Sequence, residues 1–360
     1  MKKLKVGVVG LRRGSVYARL FNAYPRTQVT AICDIDRGAL EKYRSELGLS
    51  SSQCFDGYDE FIKKADVDIV VVATPIPYHA EQSIKAMEAG KHVLCEVTMA
   101  DNVKDCETVV RTARKTGMMM AENYCYFHYI REWKKMVKEG ALGRIFYAEA
   151  EYVHQIRDLL KDPKTGRTTW RANRPPIHYI THCLGPILML LDDRVVKATA
   201  SGKTTYTMPD VGVGAIDMQV ALFETVKGVT IKVLRSNVAP REPPTVYYSI
   251  YGTKGFVENG RTGNPWQVTR GLLYIEGVDK TAREVDWYVS DPNAPEDARK
   301  YGTAEYYLVR DFVNAIETDT PPPIDAAKAA DITVPGLIAH ESGNERERVA
   351  RRTAFRIARG

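Results

Sequence analysis

The chain has 360 residues, enough for two domains at about 150 residues each. Its 44% apolar and 27% charged residues are those of an ordinary globular protein and exclude a disordered chain, a collagen and a coiled coil. A net charge of +6 is too mild to imply a nucleic-acid partner, and no stretch approaches the roughly 18 apolar residues of a membrane helix, so neither partner is expected.

Met1 to Gly7 runs straight into a strand without an apolar signal core, which makes the expected compartment cytoplasmic. The first strand is Lys5–Val9, with helical spacing over Ser15–Ala23. Strands at Gln28–Cys33, Asp68–Ala73, His92–Cys95 and Met118–Ala121 alternate with helices at Arg37–Leu47, Tyr78–Ala89 and Val103–Lys115. Strands apolar on both faces, each followed by a helix, imply a doubly wound parallel sheet, a Rossmann nucleotide-binding domain over residues 1–122. The second part, 123–360, reads as an α/β domain with an open, mostly antiparallel sheet. A helix at Ile130–Glu139 precedes strands at Ile145–Val153, Val195–Ser201, Ala215–Phe223, Val229–Leu234, Val246–Tyr251, Gln267–Arg270 and Leu272–Glu276. Helices at Glu305–Glu317 and Ala326–His340 follow, and they can pack back on the first domain. The tail arginines Arg346, Arg348, Arg351, Arg352, Arg356 and Arg359 read as a solvated helix end, without the interleaved aromatics of a base-stacking site. Cys33, Cys54, Cys95, Cys106, Cys125 and Cys183 form no Cys-x-x-Cys pair and read as reduced thiols.

A dinucleotide fold needs glycine where the first strand turns sharply into a helix, so that phosphate can approach backbone N–H groups. The turn here is Gly10-Leu11-Arg12-Arg13-Gly14-Ser15; only Gly10 is in the register of G-x-G-x-x-G, and Gly14 is displaced by one. Asp34 ends the second strand, where an acid hydrogen-bonds the adenosine ribose and repels a 2′-phosphate, favouring NAD over NADP. Three further strand ends carry polar groups: Thr74 and Pro75 with His79, then Glu96, then Asn123 and Tyr126. Residues past the carboxyl ends of such strands face the cofactor crevice.

Farther along lies Pro175-Pro176-Ile177-His178-Tyr179-Ile180-Thr181-His182. On a helix, His178 and His182 would share a face. They lack a third ligand at matching spacing, so no metal is expected, and His182 reads as a base for a hydroxyl proton. Trp170 and Arg171, with Asn173 and Arg174, are candidates for a sugar pocket, an indole face stacking on the ring; His154, Gln155 and Arg157 end a strand and are placed with them.

The Gly10 turn, Asp34, Thr74-Pro75 with His79, Glu96, Gly143-Arg144-Ile145 and the His182 segment together resemble the Gfo/Idh/MocA oxidoreductases, along almost the whole chain. The common pattern of that family has Glu-Lys-Pro where this chain has Glu96-Val97-Thr98, and an aspartate where it has His178. Glu96-Val97, Glu122-Asn123-Tyr124-Cys125-Tyr126 and the Tyr179–Pro186 run are similar to the NAD-dependent α-N-acetylgalactosaminidase branch. The resemblance implies bound NAD, a sugar or glycoside substrate, and Glu96, Tyr126, Tyr179 and His182 as site residues. It also implies hydride abstraction at C3 followed by elimination, hydration and return of the hydride. His182 is assigned the C3 hydroxyl, Tyr179 or Tyr126 the C2 proton, and Glu96 a relay role. A phenol of pKa about 10 needs a neighbouring cation to act as a base; His178, Arg157 and Arg171 are the candidates. A net sugar dehydrogenase and a silent NAD-binding sensor are the alternatives. Relatives imply a homodimer or homotetramer.

Overall fold

The computed structural model describes residues 2–113, 117–262, 264, 268–344 and 351–352. In chain order the first elements are β1 (Leu4–Val9), α1 (Leu11–Ala23), β2 (Thr27–Cys33), α2 (Arg37–Leu47), β3 (Cys54–Phe55), α3 (Tyr58–Lys64), β4 (Ile69–Val72), α4 (His79–Glu88), β5 (His92–Cys95), α5 (Val103–Ala113) and β6 (Met118–Met120). Next come α6 (His128–Lys138), β7 (Ile145–Val153), α7 (Arg157–Leu160), α8 (Thr181–Leu191), β8 (Val195–Ser201), β9 (Gln219–Thr225), β10 (Thr230–Ser236), β11 (Thr245–Gly252), β12 (Gly255–Asn259), β13 (Val268–Ile275) and β14 (Arg283–Tyr288). The chain ends with α9 (Glu296–Tyr301), α10 (Thr303–Glu317), α11 (Ala326–Asn344) and the two-residue β15 (Arg351–Arg352).

Two compact units divide the chain: one of residues 1–126 with 293–330, the other of 127–292 with 331–360. In the first, six strands pair in parallel in the order β3-β2-β1-β4-β5-β6. Val6, Val8, Val70, Val71 and Leu94 are fully buried, as strands covered on both faces require. The order reverses between β1 and β4, the switch point where such sheets bind ligands. The β6 edge is closed by the chain itself: Met120 N–H donates to Ile324 O at 3.0 Å, and Met119 bridges Asp325.

Helix α1 starts at Leu11, four residues before the apolar periodicity begins, because Gly10 at φ 86° turns the chain at once. The β3–α3 excursion was not legible: two residues of strand carry no alternation to read.

The second unit is built on a sheet of order β14-β13-β12-β11-β7-β10-β9-β8-β15, antiparallel except for β7 beside β10. One face is open, with Val220 and Leu222 partly exposed on β9 while Ala221 and Phe223 are buried. Trp133 of α6, Tyr248 of β11 and the apolar helix α8 form the core of the covered face. Strands expected separately on either side of Gly271 are one strand, β13. That glycine lets strand and neighbour close up, since a Cβ there would lie 1.9 Å from Glu258 O and 2.6 Å from Trp287. β12 and β14 were not expected, and the β9 segment begins later than expected because Val213–Ala215 form a 3-10 turn. Lys115, Gln267, Arg346, Arg348, Arg356 and Arg359 lie outside the described residues. All six cysteines are free, and among the described residues no helix is long and apolar enough to cross a membrane.

Candidate functional site

In the first unit, sequence pattern fixes the cofactor end of the sheet. Gly10 is the N-cap of α1; a Cβ there would sit 2.6 Å from Ala73 O, and one on Gly14 would sit 2.8 Å from a methyl of Val8. Both glycines let α1 press against β1 and the end of β4. Gly10 offers no capping side chain and no acid occupies the first turn, which instead holds Arg12, exposed, and Arg13. A helix N-terminus carrying the exposed cation Arg12 suits an anionic pyrophosphate. Asp34 stands beside it: its Oδ2 accepts the Leu11 N–H at 2.6 Å and its Oδ1 the Asp36 N–H at 2.9 Å. The carboxylate is thereby fixed at the end of β2, with lone pairs left for a ribose hydroxyl. These residues fit a dinucleotide.

The other strand ends are wired by charge. Arg13 Nε donates to Glu96 Oε1 at 2.6 Å, Glu96 Oε2 accepts the Val97 N–H at 3.0 Å, and Arg13 NH2 lies 3.4 Å from Glu305 Oε1. Asn123 Nδ2 donates to the same Glu305 oxygen at 3.0 Å. Burial works against the Arg13 charge, yet the carboxylates of Glu96 and Glu305 outweigh it and raise its pKa. Thr74 Oγ1 donates to Gln82 at 2.6 Å, and Pro75 leads into a short turn over Ile76–Tyr78. His79 is not presented to a ligand: it is 1% exposed, with one ring nitrogen 2.7 Å from Thr98 O and the other 2.7 Å from Thr74 O. It ties the loop after β4 to the loop after β5. Tyr126 is also turned inward, its hydroxyl without a hydrogen-bond partner. Burial and then Asp311 push that phenol well above its ordinary value, so it is no base at neutral pH.

In the second unit, Pro175 and Pro176 open a 3-10 turn, Pro176–His178, and α8 begins only at Thr181. His178 and His182 therefore do not share a helix face, contrary to expectation. The His178 ring meets His340 edge-on at 5.3 Å. Burial, with Arg174 and His340 beside it, lowers its pKa to about 3, so it is not the cation a tyrosine needs. Nor are the two arginines placed for that task. Arg157 donates through Nε and NH2 to Val238 O at 3.0 and 2.7 Å, and the Arg171 guanidinium stacks on Trp170 at 4.2 Å. Both lie by a small apolar cluster of Leu160, Ala172, Val211, Ala215 and Val238.

His182 opens α8 and is buried. The Tyr179 hydroxyl and His182 Nε2 share a hydrogen bond of 3.2 Å, and Tyr152 packs edge-on against the imidazole at 5.4 Å. Tyr152 in turn bonds His154 Nδ1 at 3.0 Å, and the Tyr248 hydroxyl donates to the His182 carbonyl, pinning the backbone. Two buried cations lie here: Arg174, 6% exposed and interacting electrostatically with Tyr179, and Arg235, 1% exposed, its guanidinium 4.4 Å from the Tyr152 ring and 5.6 Å from the Tyr179 ring. The Arg235 hydrogens go to Pro176 O, Tyr152 O and Asn237 Oδ1. Sequence reasoning passed over it, although the signal was present: Ile231, Val233 and Arg235 alternate on the buried face of β10. Glu305 carried no such signal.

Residues 4–124 match the model of the NAD-binding Rossmann domain of the Gfo/Idh/MocA oxidoreductases, and residues 130–258 match that family's C-terminal domain. The chain belongs to the Gfo/Idh/MocA family. It is accordingly an NAD-dependent enzyme. Within the family it is similar to glycosyl hydrolase family 109 protein 2 of Shewanella sp. strain ANA-3, 32% identical over 306 residues, covering 73% of this chain and 67% of that one. The chain spans 61–67% of the length of this and the other Shewanella proteins of that name. The Gfo/Idh/MocA fold is shared with an oxidoreductase domain protein from Kribbella flavida (TM-score 0.81, 21% identity, 96% and 98% of the two chains covered). It is shared too with a levoglucosan dehydrogenase solved with NADH and L-sorbose (TM-score 0.81, 19% identity, 96% and 97% covered).

Proposed function

We propose that the enzyme acts on a sugar or glycoside in a redox-neutral cycle: oxidation at C3, elimination, hydration and reduction, with glycoside hydrolysis as the net reaction. Bound NAD, favoured over NADP by the carboxylate of Asp34, supplies the acceptor and later the donor of the C3 hydride. Gly10, Arg12 and Asp34 would hold that cofactor, and Glu96 and Asn123 border it.

The observation that carries the reading is the Tyr179–His182 hydrogen bond at 3.2 Å. A net dehydrogenation moves one proton, that of the hydroxyl; elimination moves a second, from C2. A paired phenol and imidazole supply two proton-carrying groups, and Val97 stands where the common family lysine is missing. His182 accepts the C3 hydroxyl proton as hydride leaves the carbon and a ketone forms. The ketone acidifies C2, and Tyr179, with the Arg235 guanidinium beside its ring, takes that proton as the C1–O electron pair departs with the leaving group, which takes its own proton from solvent water. Water then adds its hydroxyl at C1 and gives its other proton to solvent, Tyr179 returns a proton to C2, and His182 returns one to the C3 oxygen as the C3 carbon regains hydride. The relatives named as glycosyl hydrolases support the net reaction.

The test offers nitrophenyl glycosides to purified protein with no added cofactor. Chromophore release without net NADH, and with solvent deuterium at C2, is expected. Steady NADH accumulation from free sugars would replace this reading by net dehydrogenation, and NAD binding with neither signal would replace it by a sensor.

A further inference from the structure

Glu305 lies on α10, far along the chain from the nucleotide-binding motifs but within the first unit. Its Oε1 accepts from Asn123 Nδ2 at 3.0 Å and faces Arg13 NH2 at 3.4 Å, while Arg13 Nε is spent on Glu96 at 2.6 Å. The Tyr17 hydroxyl, 3.5 Å from Arg13 NH2, closes the group without adding charge. One guanidinium thus serves two carboxylates, and both are largely withdrawn from water, the Glu96 side chain 9% and that of Glu305 15% exposed. The cluster carries one negative charge in excess.

Its place gives that charge a use. Glu96 and Asn123 follow β5 and β6, on the opposite side of β1 from Asp34. In a doubly wound sheet the dinucleotide crosses the carboxyl ends of the strands. With its adenosine at Asp34, its nicotinamide half lies toward β4, β5 and β6. A nicotinamide ring is positively charged when oxidised and neutral once it has gained a hydride, that is, two electrons and one hydrogen nucleus. A fixed negative charge screened from water therefore stabilises the oxidised form relative to the reduced one. We infer that Glu305 is a positioning residue whose carboxylate, held by Arg13 and Asn123, biases the bound cofactor toward NAD+. This rests on NAD binding alone and not on the sugar chemistry. An enzyme that keeps its cofactor oxidised between turnovers stands ready to take hydride.

The measurement is the dissociation constant of NAD+ and of NADH, each titrated without sugar into the cofactor-free full chain. E305Q keeps an oxygen for Asn123 and removes only the charge. The ratio Kd(NAD+)/Kd(NADH) is expected to rise about tenfold in E305Q, as for one charge removed at low effective dielectric, with the melting temperature of the cofactor-free protein little changed. Equal weakening of both forms, or an unchanged ratio, overturns the inference. E305D keeps the charge and is expected to hold the ratio within about twofold of the parent; a rise like that of E305Q overturns the inference, and this arm decides if E305Q does not fold. Because no sugar enters the experiment, failure of the hydrolase reading leaves its outcome unaffected.

Discussion

The strand ends of the first unit and the surroundings of His182 in the second bury polar groups in opposite ways. The Arg13 guanidinium meets two carboxylates, and Glu96, Glu305 and Asn123 are joined to one another through direct ion pairs and hydrogen bonds. Around His182 the buried Arg235 is satisfied by two backbone carbonyls and an amide oxygen and lies against aromatic rings. No carboxylate pairs with it among the described residues. A neutralised guanidinium is a scaffold; one left with its charge acts on what lies beside it. The first arrangement suits a group whose charge changes on hydride transfer, the second suits phenol and imidazole groups that must exchange protons.

The sharpest way to break that contrast is H182A. Glycoside turnover is expected to fall at least about 100-fold, because a proton acceptor is lost, while NAD+ affinity, set in the other unit, holds. A loss under threefold would remove His182 from its role. Next in size is R235Q, which deletes the guanidinium charge beside the Tyr152 and Tyr179 rings. Turnover at neutral pH is expected to drop about tenfold. A loss under twofold would leave Arg235 a packing role only.

The smallest effect is one of stability. His178, His154 and His340 of the second unit all have lowered pKa values through burial, with His178 at about 3. An unfolded histidine takes a proton at about pH 6.5. Between there and pH 3 the unfolded chain therefore binds more protons than the folded one, and stability falls as pH falls. Melting temperature is expected to decline from pH 6.5 to 4, and less steeply in H178Q. Parallel declines in the two proteins would show that His178 is not a source of the acid sensitivity.

Much of this was legible in the chain because it is local. Val6–Val9, Ile69–Val72 and Val93–Cys95 are short apolar runs ended by turn residues, and such runs have one good solution, a parallel sheet between helices. Its carboxyl ends then place Gly10, Asp34, Glu96 and Asn123 without further information. Where local preference is ambiguous the reading failed. Pro175-Pro176 fit either a helix start or a 3-10 turn, and the choice moved His178 from a partner of His182 to a neighbour of His340. Tyr126 and His79 sit at strand ends like their neighbours, yet packing turned both inward.

The sequence by itself determined the sheet, the glycine turn, the carboxylate at the end of β2 and the histidine at the head of α8, since each depends on residues within a turn or two of one another. Only the tertiary structure decided which groups complete them. Glu305 reaches Asn123 across 182 positions of chain, and Arg235 meets Tyr152 across 83. Side chains so distant are joined by the packing of whole elements, and periodicity within one element carries no record of what will be packed against it.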